Sequence, residues 1–341
     1  IKNPGYFLNL FNRLDNGYFF TEQISPVSQN IILVSQVARK PKYANFQLLA
    51  RFGTIDVGNY DLGITFRPPI LQRRSAFAKL ITKQNESTII FSNGPADAED
   101  LAKSLAKSLE EIVISEEIKD FISFIKTEIH EEHPLVITLP RGVAFHYGDL
   151  PSIVRTGVEN LFKSGEIKYI CSTSTLLQGV NLPAKHIVIE NPKSGSTPMH
   201  RPDFLNLAGR AGRLLKEFHG NVWCLSPDLW EEPSYTGDGL QEIQSSMSKI
   251  MEDGGTLIHD LMNGKVDNEN RKELAEAGLG RLFHESQESS TAEIVKKYES
   301  SNNSIELSKT LRIVESLEIN LAPHILDTHR ALRPDHLQAL Y

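Results

Sequence analysis

Short apolar runs alternate with amphipathic stretches through the middle of this chain, and no other feature limits its fold as much. Thr88-Ile-Ile-Phe91, Ile167-Lys-Tyr-Ile-Cys171, His186-Ile-Val-Ile189 and Val222-Trp-Cys-Leu225 are brief and largely apolar. Runs of this length and makeup read as strands buried on both faces. After the first run, Ser92-Asn-Gly-Pro95 breaks the pattern and places a proline where a helix can open. Leu101, Leu105 and Leu109 then recur at helical spacing. Strands alternating with helices require right-handed crossovers, hence an α/β domain with a parallel sheet and helices on both faces. The alternation assigns residues 61–232 to that domain.

The pattern changes beyond it. Leu240, Ile243, Met247, Ile250 and Met251, then Leu257, Ile258, Leu261 and Met262, keep a helical period. Residues 233–341 therefore read as a mostly helical domain. Residues 1–60 are less regular: 5–14 reads as a helix, and Tyr18–Ile24 as a strand followed by Ser25-Pro-Val27.

Composition excludes several classes. A chain of 341 residues can bury a core without staples. Cys171 and Cys224 are the only cysteines and cannot build a disulfide framework, which points to a reducing, cytoplasmic setting. The absence of an 18-residue apolar run argues against a membrane span. The net charge of −7 argues against a generic nucleic-acid coat, although basic clusters remain at Arg39, Lys40 and Lys42, at Arg67, Arg73 and Arg74, and at Arg201, Arg210, Arg213 and Lys216. Their default reading is solvated surface.

Two stretches carry chemistry. In Asp203-Phe-Leu-Asn-Leu-Ala-Gly-Arg-Ala-Gly-Arg213, Asp203 is a good N-cap, and a helix running on would align Asn206, Arg210 and Arg213 on one face. Gly209 and Gly212 would each cost such a helix about 1 kcal/mol relative to Ala, so the backbone there must approach something closely. Paired guanidiniums suit a polyphosphate, because each binds oxyanions bidentately and stays charged. The bland alternative is a surface helix with two exposed arginines. In Cys171-Ser-Thr-Ser-Thr-Leu-Leu-Gln-Gly-Val-Asn-Leu-Pro183, Ser172, Thr173, Ser174 and Thr175 crowd the C-terminal end of a strand, the edge where parallel sheets bind ligands. Gly179 allows close backbone approach, and Asn181 presents a short amide. The bland alternative is a polar turn ahead of a capped helix.

Together these stretches resemble the C-terminal half of superfamily-two DExH/DEAD-box helicases, above all the antiviral or exosome-associated type with its bacterial defence-like members. Phe204–Arg213 is similar to motif VI, Thr173–Pro183 to motif V, Gly142-Val-Ala-Phe-His-Tyr-Gly-Asp-Leu150 to the G-V-A-x-H-H-x-x-L segment, and Ile89-Ile-Phe-Ser-Asn93 lies where motif IV belongs. Arg155, Glu159, Phe162 and Gly165 fit the following helix, and Ser25-Pro-Val27 resembles motif III. The resemblance implies a RecA-like lobe at 61–232, with residues 1–60 as the tail of a first lobe. It implies that Arg210 and Arg213 act as arginine fingers, that Gly179, Asn181 and Asn206 meet ATP, and that Ser92, His146, Gly148, Thr173, Ser174 and Thr175 contact a nucleic-acid strand. Asn206 stands where the family has Gln, and Tyr147 where it has a second His. ATP and Mg²⁺ are the implied cofactors, with the Mg²⁺ ligands on the preceding lobe and no metal site in this chain. DNA or RNA is the implied partner, along with a protein partner for the helical domain. Neither G-x-x-x-x-G-K-[S/T] nor D-E-x-H occurs in the 341 residues. The chain therefore reads as an excerpt of a longer protein, unable to hydrolyse ATP alone. The alternative is a catalytically inactive RecA-like binding or scaffold module.

Overall fold

The apolar runs become the inner strands of one sheet. The computed structural model describes residues 3, 5–10, 18, 28–66, 69–174, 182–212, 219–240, 245–299, 303–330 and 332–341. The strands are β1 (Ser28–Gln36), β2 (Tyr43–Ala50), β3 (Gly53–Asp61), β4 (Thr88–Phe91), β5 (Val143–His146), β6 (Tyr169–Ser172), β7 (His186–Ile189), β8 (Lys193–Ser194), β9 (Thr197–Pro198) and β10 (His219–Leu225). Eight of them form a sheet in the order β3-β2-β1-β10-β7-β4-β6-β5, while β8 and β9 pair separately. From β1 to β5 every neighbouring pair is parallel. All residues of β4, β5, β6 and β7 are buried, which is why their sequences are continuous apolar runs rather than alternating ones.

Helices flank this sheet. Pro95 opens the helix Pro95–Lys107, and Ala98, Leu101, Ala102, Leu105 and Ala106 form its buried stripe. The helix Ser152–Ser164 buries Val154, Val158, Leu161 and Phe162 and ends on Gly165 in the left-handed region. The RecA-like architecture follows the predicted alternation.

Two expectations change. The sheet is mixed: β2 and β3 run antiparallel to their neighbours, because tight turns can join only antiparallel strands. Residues 28–61, expected in the tail of a preceding lobe, add three strands to this same sheet. The compact unit spans 16–241. The motif III-like Ser25-Pro-Val27 lies outside the described residues.

The second unit comprises 1–15 and 242–341. Its helices include Ser246–Met251, Thr256–Met262, Glu269–Glu288, Thr291–Tyr298 and Ser304–Glu315. Ile258, Leu279, Leu282 and Leu307 are fully buried at its centre. Gly254 and Gly255 take left-handed conformations against Leu307 and Thr310, a contact a side chain would block. Glu285 accepts hydrogen bonds from Arg281 (3.0 Å), Lys297 (2.9 Å) and Tyr298 (2.9 Å). Burial pushes this carboxyl up, and those donors outweigh it and hold it below the ordinary value.

Candidate functional site

The parallel order β4-β6-β5 sets three strand ends side by side. Phe91 and His146 both register with Ser172, so the chain leaves all three strands at one level. The first residues beyond are tied together. Ser92 N–H donates to Ser172 O at 2.8 Å, Thr173 N–H to His146 O at 3.2 Å, and Ser172 Oγ–H to His146 O at 3.0 Å. Ser92, His146–Gly148 and Thr173–Ser174, scattered over 80 residues of sequence, thus become neighbours. Gly148 is exposed and Ser174 half-buried.

His146 differs from its expected role. Its side chain is 1% exposed, so it does not reach a strand lying on this edge. Nε2 lies 3.1 Å from Glu159 Oε1. Burial lowers the imidazole pKa despite the raising influence of Glu159, so the ring is neutral near pH 7. His146 supports the strand end from beneath, and Glu159 orients it. Tyr147 is likewise committed inward: its hydroxyl donates to Glu99 at 2.6 Å and its ring stacks on Phe145 with centroids 5.8 Å apart. Burial and the Glu99 carboxylate raise the phenol pKa. Ser92 is also fully buried, and its hydroxyl has no hydrogen-bond partner among the described residues.

The basic cluster containing Arg73 and Arg74 is not solvated surface. Arg73 forms a buried ion pair with Glu190, just past β7. Arg74 grips Asp97 through its two terminal guanidinium nitrogens, Nη1 at 3.0 Å and Nη2 at 2.5 Å, and Nη1 also donates to Phe91 O at 3.1 Å. Asp97 in turn accepts from Asn93 N–H at 3.0 Å. Asn93 Nδ2 donates to Asn191 O at 3.0 Å, beside Glu190. These bonds join the ends of β4 and β7 to the helix Ile70–Ile81. Sequence reasoning missed this network; the only signal was two adjacent arginines inside an otherwise amphipathic helix.

The arginine-bearing stretch also departs from expectation. Its helix is Arg201–Ala208, with His200 at the N-cap and Asp203 inside the first turn. It ends before Arg210. Gly209 is the C-cap, and Gly212 adopts φ +94°, which a side chain would strain. Helical alignment therefore does not place Arg210; a short ladder does. Ala184 N–H donates to Arg210 O at 3.0 Å, and Gly212 N–H to Ala184 O at 2.7 Å. Ala184, the residue just past the motif V-like stretch, thus holds the backbone of the motif VI-like arginine. Arg210 is half-buried, and desolvation lowers its pKa. Asn206 is exposed on the helix. Thr175, Gly179, Asn181 and Arg213 lie outside the described residues. Among the described residues, no cluster of three or more His, Cys, Asp or Glu side chains is arranged to hold a metal ion.

Residues 72–214 match the family described as helicase conserved C-terminal domain. This chain carries a superfamily-two helicase C-terminal domain. Ser92, His146, Gly148, Thr173, Ser174, Asn206 and Arg210 all fall within the helicase match, whereas the β1–β3 strands lie before it. The chain is 30% identical over 215 residues to a helicase POLQ-like protein of Caenorhabditis elegans, covering 61% of this chain and 23% of that protein. It is 28% identical over 140 residues to anti-bacteriophage protein B of Escherichia coli K12, covering 41% and 19%. It is 32% identical over 154 residues to the ATP-dependent DNA helicase Hel308 of Methanocella arvoryzae, covering 42% and 21%. The helicase-like chain thus spans less than a quarter of the length of these curated relatives. No helix among the described residues is long and apolar enough to cross a membrane.

Proposed function

We propose that this chain is the strand-gripping and arginine-supplying part of an ATP-dependent nucleic-acid helicase or translocase. Two observations support the reading: three parallel strand ends meet at one edge of the sheet, and a ladder to Ala184, ahead of β7, holds the backbone of Arg210. The exposed Gly148 turn and the half-buried Ser174 hydroxyl, with Thr173 buried next to them at 8% exposure, offer short, rigid donors to a phosphate backbone at the edge where parallel sheets bind ligands. Arg210 presents a cation from a fixed backbone, which suits the γ-phosphate of an ATP held by a preceding lobe; Arg213 would join it, with Asn206, Gly179 and Asn181 near the nucleotide. Bound ATP with Mg²⁺ would supply the phosphoryl transfer that powers movement. The arginines favour the closed, ATP-bound arrangement because only there do they meet the charge they stabilise. Release on hydrolysis would loosen the grip of Thr173 and Gly148 and advance the strand. The Hel308 relative is named a DNA helicase, which favours DNA. The anti-bacteriophage relative favours a role in phage defence, and cytoplasmic residence would accord with both cysteines being free and buried. The helical unit would serve a protein partner.

The test uses the intact protein. ATP turnover should rise with single-stranded DNA. Arg210→Ala should lower kcat by roughly 10³-fold or more, with a much smaller change in ATP affinity. An unchanged kcat would refute the arginine assignment. No turnover under any condition would favour the inactive scaffold.

A further inference from the structure

We propose that the β1–β2 turn, residues 37–43, is a phosphate-and-base subsite for single-stranded nucleic acid, an extension that rests on the strand-gripping function above. Of the basic clusters in the sequence, Arg73 and Arg74 are buried in ion pairs and Arg210 is half-buried against Ala184. Arg39, Lys40 and Lys42 remain exposed, with no ion-pair partner among the described residues. Three positive charges within four residues stand out in a chain of net charge −7. Their field extends over about one Debye length, ~10 Å at 0.1 M salt, into the solvent beside the turn.

The turn is open to solvent and braced from behind. Arg39, Lys40, Pro41, Lys42 and Tyr43 line a shallow depression of about 370 Å³ that is widely open to solvent. Lys40 Nζ lies 5.2 Å from the Tyr43 ring centroid, so a cation and a half-buried aromatic ring adjoin in this depression. Val37 N–H donates to Tyr43 O and Tyr43 N–H to Lys40 O, both at 3.0 Å. Outside the turn, Phe66 N–H donates to Pro41 O at 2.8 Å and Leu62 N–H to Lys42 O at 2.9 Å. Arg39 is held at φ +62°, a left-handed conformation that few non-glycine residues adopt. The backbone is thus fixed before any ligand arrives, and the side chains alone are free to engage one.

Its place in the sheet says which polyanion fits. Because β1 is parallel to β10, β7 and β4, the turn after β1 leaves the same edge as Ser92 and Thr173. In the order β1-β10-β7-β4-β6, three strand spacings separate the turn from Ser92 and four separate it from Thr173, about 14 and 19 Å at roughly 4.8 Å per spacing. Of the acidic residues after β10, Lys193 pairs with the Glu231 carboxylate at 2.5 Å, while Asp228 and Glu232 are exposed and the path must pass clear of them. A strand lying on the Thr173–Gly148 edge can therefore continue to the turn. There Arg39, Lys40 and Lys42 would neutralise phosphates and Tyr43 would stack a base, the usual pairing in single-strand grooves.

The experiment measures binding of fluorescent oligo-dT, about 20 nucleotides long so that it exceeds the usual site sizes, to the full chain across a salt series. The triple variant Arg39→Ala/Lys40→Ala/Lys42→Ala changes only exposed side chains, and a melting curve checks that it folds. Loss of three phosphate contacts should flatten the plot of log affinity against log salt by about 2, at roughly 0.7 per contact. Tyr43→Ala should weaken binding roughly five- to 150-fold without changing that slope. An unchanged slope in a triple variant that folds would overturn the proposal while leaving the strand-gripping function standing. Wild-type chain that binds no oligonucleotide would overturn both. Poly-glutamate binding that is as tight and as sensitive to the triple substitution would overturn the subsite in favour of an acidic protein segment.

Discussion

Gly220→Ala tests how Arg210 is positioned. Gly220 lies in β10, paired with Gln29 of β1 and remote in sequence from Arg210. A Cβ there would stand 2.5 Å from the Ala211 carbonyl oxygen, and nearer still to the Ala211 carbonyl carbon and the Gly212 nitrogen. These are backbone atoms of the segment that carries Arg210, so no flexible side chain can yield. Restoring a normal carbon contact of about 3.5 Å requires the segment to retreat by roughly 1 Å. The retreat stretches both ladder bonds to Ala184, at 3.0 and 2.7 Å. Losing them costs about 1 kcal/mol each, and overpacking adds about 1–3 kcal/mol. The total of about 3–5 kcal/mol should lower the melting temperature by roughly 6–20 °C, at about 2–4 °C per kcal/mol for a unit this size. In the intact protein, a guanidinium displaced by about 1 Å should cost on the order of 100-fold in kcat. The assays are a thermal melt of the chain and steady-state ATP turnover. A melting temperature within about 2 °C of wild type would refute the packing argument. A large melting shift with undiminished kcat would refute the claim that the ladder sets the arginine.

Other outcomes follow from the buried charges. Glu190→Gln leaves Arg73 buried without its counter-ion and should cost about 3–5 kcal/mol, whereas Arg73→Met/Glu190→Leu should be far milder than either single change; equal losses in chemical denaturation would show that the pair is not electrostatically coupled. His146 has a lowered native pKa, so below the ordinary histidine value the unfolded chain takes up a proton that the native state does not. Its contribution to stability is complete above about pH 6.5 and is lost as pH falls through that value towards the native pKa. Melting curves from pH 8 to 5.5 should therefore fall more steeply for wild type than for His146→Gln, and parallel curves would remove His146 from the pH response.

Much of the lobe was legible because its strands are buried on both faces. Burial on both sides forces continuous apolar runs, and Thr88–Phe91 and His186–Ile189 are such runs. Pro95 marked its helix for an equally local reason, since its ring fits the first turn. The hairpin strands β2 and β3 were harder to read: their residues are mostly half-buried or exposed, so the apolar signal fades. The helix at Arg201 was read as too long because the decisive influence is remote. Gly209 and Gly212 are tolerable helix residues when viewed locally, and only the ladder with Ala184 and the pressure of Gly220 explain why the chain turns there.

The sequence by itself determined the inner strands, the helix opened by Pro95 and the family resemblance, because periodicity, caps and short motifs are local properties of the chain. Which residues meet was decided by the tertiary structure. His146 looked like a ligand contact and became a buried support for Glu159 to orient; Arg73 and Arg74 looked like surface charge and became internal clamps. Burial depends on what the rest of the fold brings against a side chain, and for these residues that was Glu159, Glu190 and Asp97, with Arg73 and its partner Glu190 separated by 117 positions along the chain.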